Sequence, residues 1–247
     1  LGTIGACSGG DGKPVWVRKT DRRFVSSPAL GDLDGDALPD IVIGSYDGRV
    51  YALSGRDGRD LWEYETGGPV WSSPTLGDLD GGGSLECLVG SNDFKLHALS
   101  ARDGRALWTL RTGSFVHSRP TLGDVDGDGV RDVVFGSRDR IVYALSGRDG
   151  RPLWQFETEG WIDGASVLED FDGDGRPECV VASGDGRVYV LGTTDDRRLW
   201  EFRTGIAASL ASSSADLNGD QVPDCVAGAI NNAVFALSGL DGRPLWR

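Results

Sequence analysis

Apolar positions along this chain fall in short runs, such as Ile41-Val42-Ile43, Val50-Tyr51-Ala52-Leu53 and Leu61-Trp62, each closed off by Gly, Asp, Ser or Pro. Runs of this length, rich in β-branched and aromatic residues and bordered by turn formers, predict β-strands. A further run over residues 25–30 leads into a cluster of acids. No window repeats its apolar residues at the 3.6-residue period of a helix for long enough to lay down a buried stripe, so an all-β chain is expected.

The runs recur as a set. Trp16, Trp62, Trp108, Trp154, Trp200 and Trp246 stand 46 residues apart, and each unit between them holds about four strand-like runs. Four short strands per repeat of this length is the content of one blade of a β-propeller. The pattern predicts five four-stranded blades in a single domain over residues 1–247, with repeat units at about 17–62, 63–108, 109–154, 155–200 and 201–246. The tryptophan turn occurs six times and the acidic loop five times. Residues 1–16 are therefore expected to supply a terminal strand segment that takes part in ring closure, which removes exposed strand edges. The alternative is a five-blade portion of a seven- or eight-bladed ring.

The acidic loops carry chemistry. Acids at positions 1, 3, 5 and 9 with glycine at 4 can wrap one cation with hard oxygen ligands, and calcium takes six to eight of these in a flexible shell. Asp32, Asp34, Asp36 and Asp40 form such a set, as do Asp124, Asp126, Asp128 and Asp132. In the fourth unit Asp170, Asp172 and Asp174 are joined by the longer Glu178, and in the fifth Asp216, Asp220 and Asp224 by the amide of Asn218. The second unit departs: Asp78 and Asp80 remain, Gly82 replaces the third acid, and Glu86 must reach from position nine, which makes this the weakest of up to five calcium sites. A single loop of this kind is also what a plain Asp/Gly turn looks like. Five in register are not.

The formal charge of −13 follows from these loops, which hold 18 carboxylates at short spacing. Left bare they would repel one another strongly. Five divalent ions would bring the charge to −3, so the acidity reads as metal sites. The 25 basic residues are spread one or two per turn, and a ring of acids opposes a phosphate backbone, so nucleic acid is not an expected partner.

The loop pattern Asp-x-Asp-Gly-Asp-x-x-x-Asp followed by Ile-Val-Ile-Gly44 or Val-Val-Phe-Gly136 resembles the FG-GAP or VCBS repeats of integrin-α-type propellers. That resemblance implies calcium on each repeat loop and a role in adhesion or recognition. The stretch Val-Tyr-Ala-Leu-Ser-Gly-Arg-Asp-Gly-Arg-Pro-Leu-Trp154 is similar to the repeat of pyrroloquinoline-quinone-type propellers, which implies that the tryptophan docks between neighbouring blades. The two resemblances cover essentially the whole chain. A quinoprotein dehydrogenase would also need a polar cofactor site on the axis, and no cluster of acid, arginine and vicinal cysteines builds one.

In so repetitive a chain, columns that fail to copy themselves are not held by the common fold. The stretch before each acidic loop varies: Arg22, Arg23 and Val25 correspond to Gly68, Pro69 and Trp71, to Ser114, Phe115 and His117, to Gly160, Trp161 and Asp163, and to Ile206, Ala207 and Ser209. Equivalent loops of a propeller gather on one face, where Arg23, Trp71, Phe115, His117, Trp161 and Asp163 would offer flat apolar surface with a few directed polar groups to a glycan or a protein. Drift in a surface loop would give the same variation. A second varied column, Tyr46, Asn92, Arg138, Gly184 and Ile230, reads as a solvent-exposed hairpin turn.

Catalysis has little to stand on. His97 takes the place of Tyr51, Tyr143, Tyr189 and Phe235 and reads as packing; His117 and Asp163 would make an acid–base pair if brought together, with no nucleophile beside them. The chain is read as no enzyme. Cys87, Cys179 and Cys225 share one column with Ile41 and Val133, as small buried hydrophobes; Cys7 alone is a candidate to pair with Cys225 across a closing blade. No apolar run spans a bilayer and the first residues lack the form of a signal peptide, so no membrane insertion is expected. A monomeric calcium-binding recognition or adhesion propeller, extracellular, cell-surface or periplasmic, is the leading expectation. A structural scaffold in which calcium only clamps the fold is the alternative, and a propeller-type polysaccharide-cleaving enzyme or quinoprotein-like protein the third.

Overall fold

The computed structural model describes residues 2–193, 197–205, 207, 213–229 and 233–247. Their regular structure is entirely β. The N-terminal strands β1 (Gly2–Cys7) and β2 (Pro14–Thr20) form a two-stranded antiparallel sheet of their own. Five four-stranded sheets follow. Blade one holds β3 (Ala29–Gly31), β4 (Asp40–Gly44), β5 (Arg49–Leu53) and β6 (Asp60–Glu65). Blade two holds β7 (Thr75–Gly77), β8 (Glu86–Ser91), β9 (Lys95–Ser100) and β10 (Ala106–Arg111), and blade three β11 (Thr121–Gly123), β12 (Asp132–Gly136), β13 (Ile141–Leu145) and β14 (Pro152–Glu157). Blade four holds β15 (Val167–Glu169), β16 (Glu178–Ser183), β17 (Arg187–Leu191) and β18 (Arg198–Arg203), and blade five β19 (Ser213–Ala215), β20 (Asp224–Ala229), β21 (Ala233–Leu237) and β22 (Pro244–Trp246).

Every blade is an antiparallel meander in chain order. The two central strands are buried along almost their whole length in blades one to four, which is why their runs are continuously apolar rather than alternating. The core is accordingly divided into layers between blades. Val42, Val50 and Ala52 of blade one meet Cys87, Val89 and Leu99 of blade two, and corresponding layers join blades two to three, three to four and four to five. The N-terminal pair joins in the same way, with Ile4 and Trp16 packed against Ile41, Ile43, Tyr51 and Leu53.

The tryptophans make these joints. Each lies opposite a small or slender residue on the neighbouring strand: Ala6 faces Trp16, Ala52 faces Trp62, Ala98 faces Trp108, Ala144 faces Trp154, Val190 faces Trp200 and Ala236 faces Trp246. The indole reaches the next blade, where Nε1 donates to the carbonyl 39 residues on: Trp16 to Gly55 at 2.7 Å, Trp62 to Ala101 at 2.7 Å, Trp108 to Gly147 at 3.1 Å and Trp200 to Gly239 at 2.8 Å. The ring lies on a left-handed glycine of the same turn, Gly58, Gly104, Gly150 or Gly242, whose φ is between 72° and 74°. A Cβ there would stand 2.5–2.7 Å from the ring, so only glycine leaves the space and takes the backbone angle. Trp154 departs from the pattern. Its turn partner is Thr193, and its buried Nε1 has no hydrogen-bond partner among the described residues.

Inner hydrogen bonds repeat the period. Ser72 donates to Ser118 O, Thr75 to Pro120 O and Thr121 to Ser166 O, so side chains one repeat apart lock neighbouring blades near their first strands.

Candidate metal loops and the varied face

Because successive strands run antiparallel, the connections of each blade separate into two ends. The acidic loop and the tryptophan turn lie at one end. Contacts between them show this: Arg56 pairs with Asp36 at 2.9 Å, Arg59 with Asp34 at 3.3 Å, and Arg151 with Asp126 at 3.6 Å. The second-to-third hairpin turn and the loop entering the blade lie at the other end, tied by backbone bonds from Tyr46 N to Arg23 O, Asn92 N to Pro69 O, Arg138 N to Phe115 O and Gly184 N to Trp161 O.

At the acidic end all five loops have one internal frame. The position-1 acid accepts from the amides of positions 4 and 6: Asp32 from Gly35 and Ala37, Asp78 from Gly81 and Gly83, Asp124 from Gly127 and Gly129, Asp170 from Gly173 and Gly175, and Asp216 from Gly219 and Gln221. The position-9 acid is buried and accepts from the amide of position 2, as Asp40 does from Leu33, Glu86 from Leu79, Asp132 from Val125, Glu178 from Phe171 and Asp224 from Leu217. Aspartate and glutamate hold the same station here despite their different lengths.

This frame crowds carboxylates. Oxygens of Asp32, Asp34 and Asp36 lie within 4.8 Å of one another, as do those of Asp78, Asp80 and Glu86, of Asp124, Asp126 and Asp132, and of Asp170, Asp172 and Glu178. Burial, with Asp126 adding charge, pushes Asp132 up to about 6; burial, with Asp172, Asp174 and Asp170 adding charge, pushes Glu178 up to about 7. Burial likewise raises Glu86. Oxygen-only donors that resist ionisation together fit a hard divalent cation, and these clusters can hold metal ions. Asp128 and Asp174 accept from the amides of Val130 and Arg176, as Asp36 does from that of Leu38. In blade five the amide of Asn218 donates to Asp220 at 2.9 Å and to Asp224 at 3.4 Å, offering the three acids a hydrogen-bond donor in place of a fourth charge. The arginines of the tryptophan turn were not foreseen as part of these loops; they offset some of the repulsion that spacing alone implies in blades one and three.

The opposite end carries a continuous band of rings. The Arg23 guanidinium lies 5.1 Å from the Tyr46 ring centre, Tyr46 lies 6.2 Å from Trp71, Trp71 stacks on His117 at 5.5 Å and 13°, and His117 stacks on Phe115 at 5.6 Å and 3°. Phe94 continues the band beside Phe115 at 5.2 Å. Beyond His117, Asp163 Oδ1 is 3.6 Å from Nδ1, and Arg138 grips the same carboxylate with Nε at 2.8 Å and Nη2 at 2.6 Å. Trp161 stands two residues before Asp163, its indole lying over Gly184, where a side chain would collide with it at 2.5 Å. Tyr46, Trp71 and Trp161 are 46%, 47% and 42% exposed, which leaves their flat surfaces available.

The hairpin column read from the sequence as plain solvent-exposed loop is corrected by these contacts. Tyr46 meets Trp71, Asn92 Oδ1 lies 2.7 Å from His117 Nε2, and Arg138 binds Asp163. Each pair is separated by 25 residues, and its members change together from blade to blade. That constant offset was the signal available in the sequence. Ile206, Ser209 and Ile230, the fifth members of the varied columns, lie outside the described residues.

His97 is a packing residue. It is buried, bonded through Nε2 to Asp93 at 3.1 Å and through Nδ1 to the Tyr64 hydroxyl at 3.2 Å, and it stands where Tyr51, Tyr143 and Tyr189 bond Asp47, Asp139 and Asp185. Cys87, Cys179 and Cys225 are buried free thiols, each pushed up to about 12 by burial. The pairing of Cys7 with Cys225 does not occur, since Cys7 is an exposed free thiol on β1 and Cys225 sits in the core of blade five. No helix among the described residues is long and apolar enough to cross a membrane.

Fold and repeats together define a β-propeller built from FG-GAP-like and PQQ-like units. The FG-GAP-like repeat family model matches residues 32–89, the PQQ-type model described as outer membrane protein assembly factor BamB matches 63–174, and the lambda-carrageenase beta-propeller domain model matches 147–245. Among solved structures the chain is similar to BamB from Moraxella catarrhalis, with 18% identity and a TM-score of 0.77 over 99% of this chain and 70% of that one. It is also similar to the computationally designed Ika8 protein, with 16% identity and a TM-score of 0.71 over 96% of this chain and 65% of that one. No curated protein matches the chain in sequence. At such identities the structural likeness speaks for the fold alone.

Proposed function

We propose that this chain is a calcium-stabilised recognition propeller, acting outside the cytoplasm, that binds a glycan across its varied face. The observation that carries the reading is the unbroken band from Tyr46 through Trp71 and His117 to Phe115, flanked by the Arg138–Asp163 pair. Flat exposed rings beside fixed polar groups suit a sugar, whose ring faces are apolar and whose hydroxyls need directed partners. Calcium binds the acidic loops at the far end of the blades, where it stabilises the native fold without touching the ligand. The reading is non-catalytic: Asp163 is already committed to Arg138, which leaves it a poor proton acceptor for His117.

A protein ligand is the second reading, favoured by the match to a family described as an assembly factor. Titration of the calcium-loaded protein with a panel of neutral and acidic polysaccharides tests the first. Binding is expected, weakened at least tenfold in Trp71→Ala and in Trp161→Ala with melting temperatures within about 2 °C of the parent, as befits half-exposed rings. A folded, calcium-loaded protein that binds none of the panel would overturn the glycan reading.

A further inference from the structure

In blades one to four the turn between the second and third strands holds one residue in the left-handed region. The frame demands it. The carbonyl of that residue accepts from a threonine amide just past the fourth strand: Gly48 O from Thr66 and Phe94 O from Thr112 at 2.8 Å, Arg140 O from Thr158 at 2.8 Å, and Gly186 O from Thr204 at 2.9 Å. The backbone angle is shared accordingly, with φ 86° at Gly48, 69° at Phe94, 77° at Arg140 and 81° at Gly186. Glycine takes this angle without steric cost, whereas a side chain is strained there, and a bulky one is an outlier.

Blades one and four use the unstrained residue, and blades two and three do not. In blade three the departure is answered inside the blade, where Arg140 reaches Glu157 at 3.5 Å. In blade two it is not. Phe94 has no place in the apolar layers that join the blades, and neither has Phe115, the ring it meets at 5.2 Å and 55°. A contact between two such rings is of the same order as the cost of a left-handed side chain, so packing alone gives glycine no reason to leave this column. Phe115 stacks on His117, and His117 on Trp71, so the strained turn sets the Phe94 ring at the end of the aromatic band opposite Arg23. Strain of this kind gathers where a surface needs one side chain in one place.

We infer that Phe94 is a ligand-binding residue, the far wall of the glycan site on the varied face, where its ring takes the apolar face of a sugar. The inference rests on the glycan reading above and extends that site from the entry loops into the hairpin of blade two. It also assigns the strain a purpose: blade two gives up the stability that glycine would bring in exchange for a ring at this point.

Three variants test this in the calcium-loaded protein, titrated with a panel that includes a neutral β-glucan, a xylan, polygalacturonate and heparin. Phe94→Gly removes the ring and the strain together. It should weaken binding of the tightest-binding panel member at least fivefold while melting no lower than the parent. Phe94→Tyr keeps a ring and should bind within about twofold of the parent. Arg140→Gly relieves the same strain in the same column without touching the band, so it should raise the melting temperature by about 2–4 °C and leave the affinity unchanged. Unchanged affinity in Phe94→Gly, beside a loss in Trp71→Ala, would overturn this inference and leave the glycan reading standing. A melting temperature more than about 5 °C below the parent in Phe94→Gly would assign the ring to packing and overturn it as well. A folded parent that binds none of the panel would overturn the glycan reading and this inference together.

Discussion

The two ends of each blade are built by opposite rules. At the acidic end the same nine-residue frame is written five times, with position-1 and position-9 acids meeting the same amides in every blade. At the other end no two described blades agree, yet their differing side chains touch: Tyr46 with Trp71, Asn92 with His117, Arg138 with Asp163. Repetition marks what every blade needs in order to fold, and departure from it marks what only one assembled surface needs. On the proposed reading, a cation at the acidic end and a ligand on the band would be separate events on one scaffold.

The largest expected break in that comparison comes from chelation. A site saturated about a hundredfold above its Kd adds ~2.7 kcal/mol to the native state, and each kcal/mol shifts the melting temperature of a chain of this size by about 2–4 °C. Removing calcium from four loops should therefore lower the melting temperature by more than about 20 °C in a calorimetric scan, and an unchanged melting temperature would remove the metal reading. Next in size, Asp124→Ala should lower the calcium-loaded melting temperature by roughly 5–10 °C on the same scale. Asp78→Ala should cost less, because its loop has Gly82 in place of the position-5 acid. Equal losses would show that all loops bind alike.

The smallest effect is a pH dependence confined to the calcium-free protein. Asp132 and Glu178 are raised by burial and by neighbouring acids to about 6 and about 7, so the folded state binds protons that the unfolded state releases near pH 4. The folded form then holds more protons, and stability falls as pH rises from about 4 through 7. In chelator the melting temperature should climb as pH is lowered from 8 towards 5. In calcium, which competes with protons for the same oxygens, this trend should flatten or reverse. A calcium-free protein that loses stability on mild acidification would contradict the crowded-acid account.

Much of this was legible in the sequence. The tryptophan period and the short bordered runs predict blades, and Ala or Val opposite each tryptophan shows why the period is strict: a joint that buries an indole tolerates no slip. The acidic loops were equally plain, because backbone amides at fixed offsets require acids at fixed offsets. What stayed hidden depends on contact between blades. Tyr46, Asn92 and Arg138 look like unrelated turn residues until the next blade brings Trp71, His117 and Asp163 against them, 25 residues away. Arg56 and Arg151 likewise read as turn residues, since nothing in a linear pattern says that the tryptophan turn and the acidic loop emerge side by side.

The separation of the two ends is tested most directly by measuring ligand affinity with and without calcium, at a temperature where circular dichroism shows both forms folded. The account predicts a dissociation constant that agrees within about twofold between the two conditions, alongside the large fall in melting temperature. A tenfold or greater loss of affinity in the folded, calcium-free protein would show that the cation acts on the binding face and would contradict it.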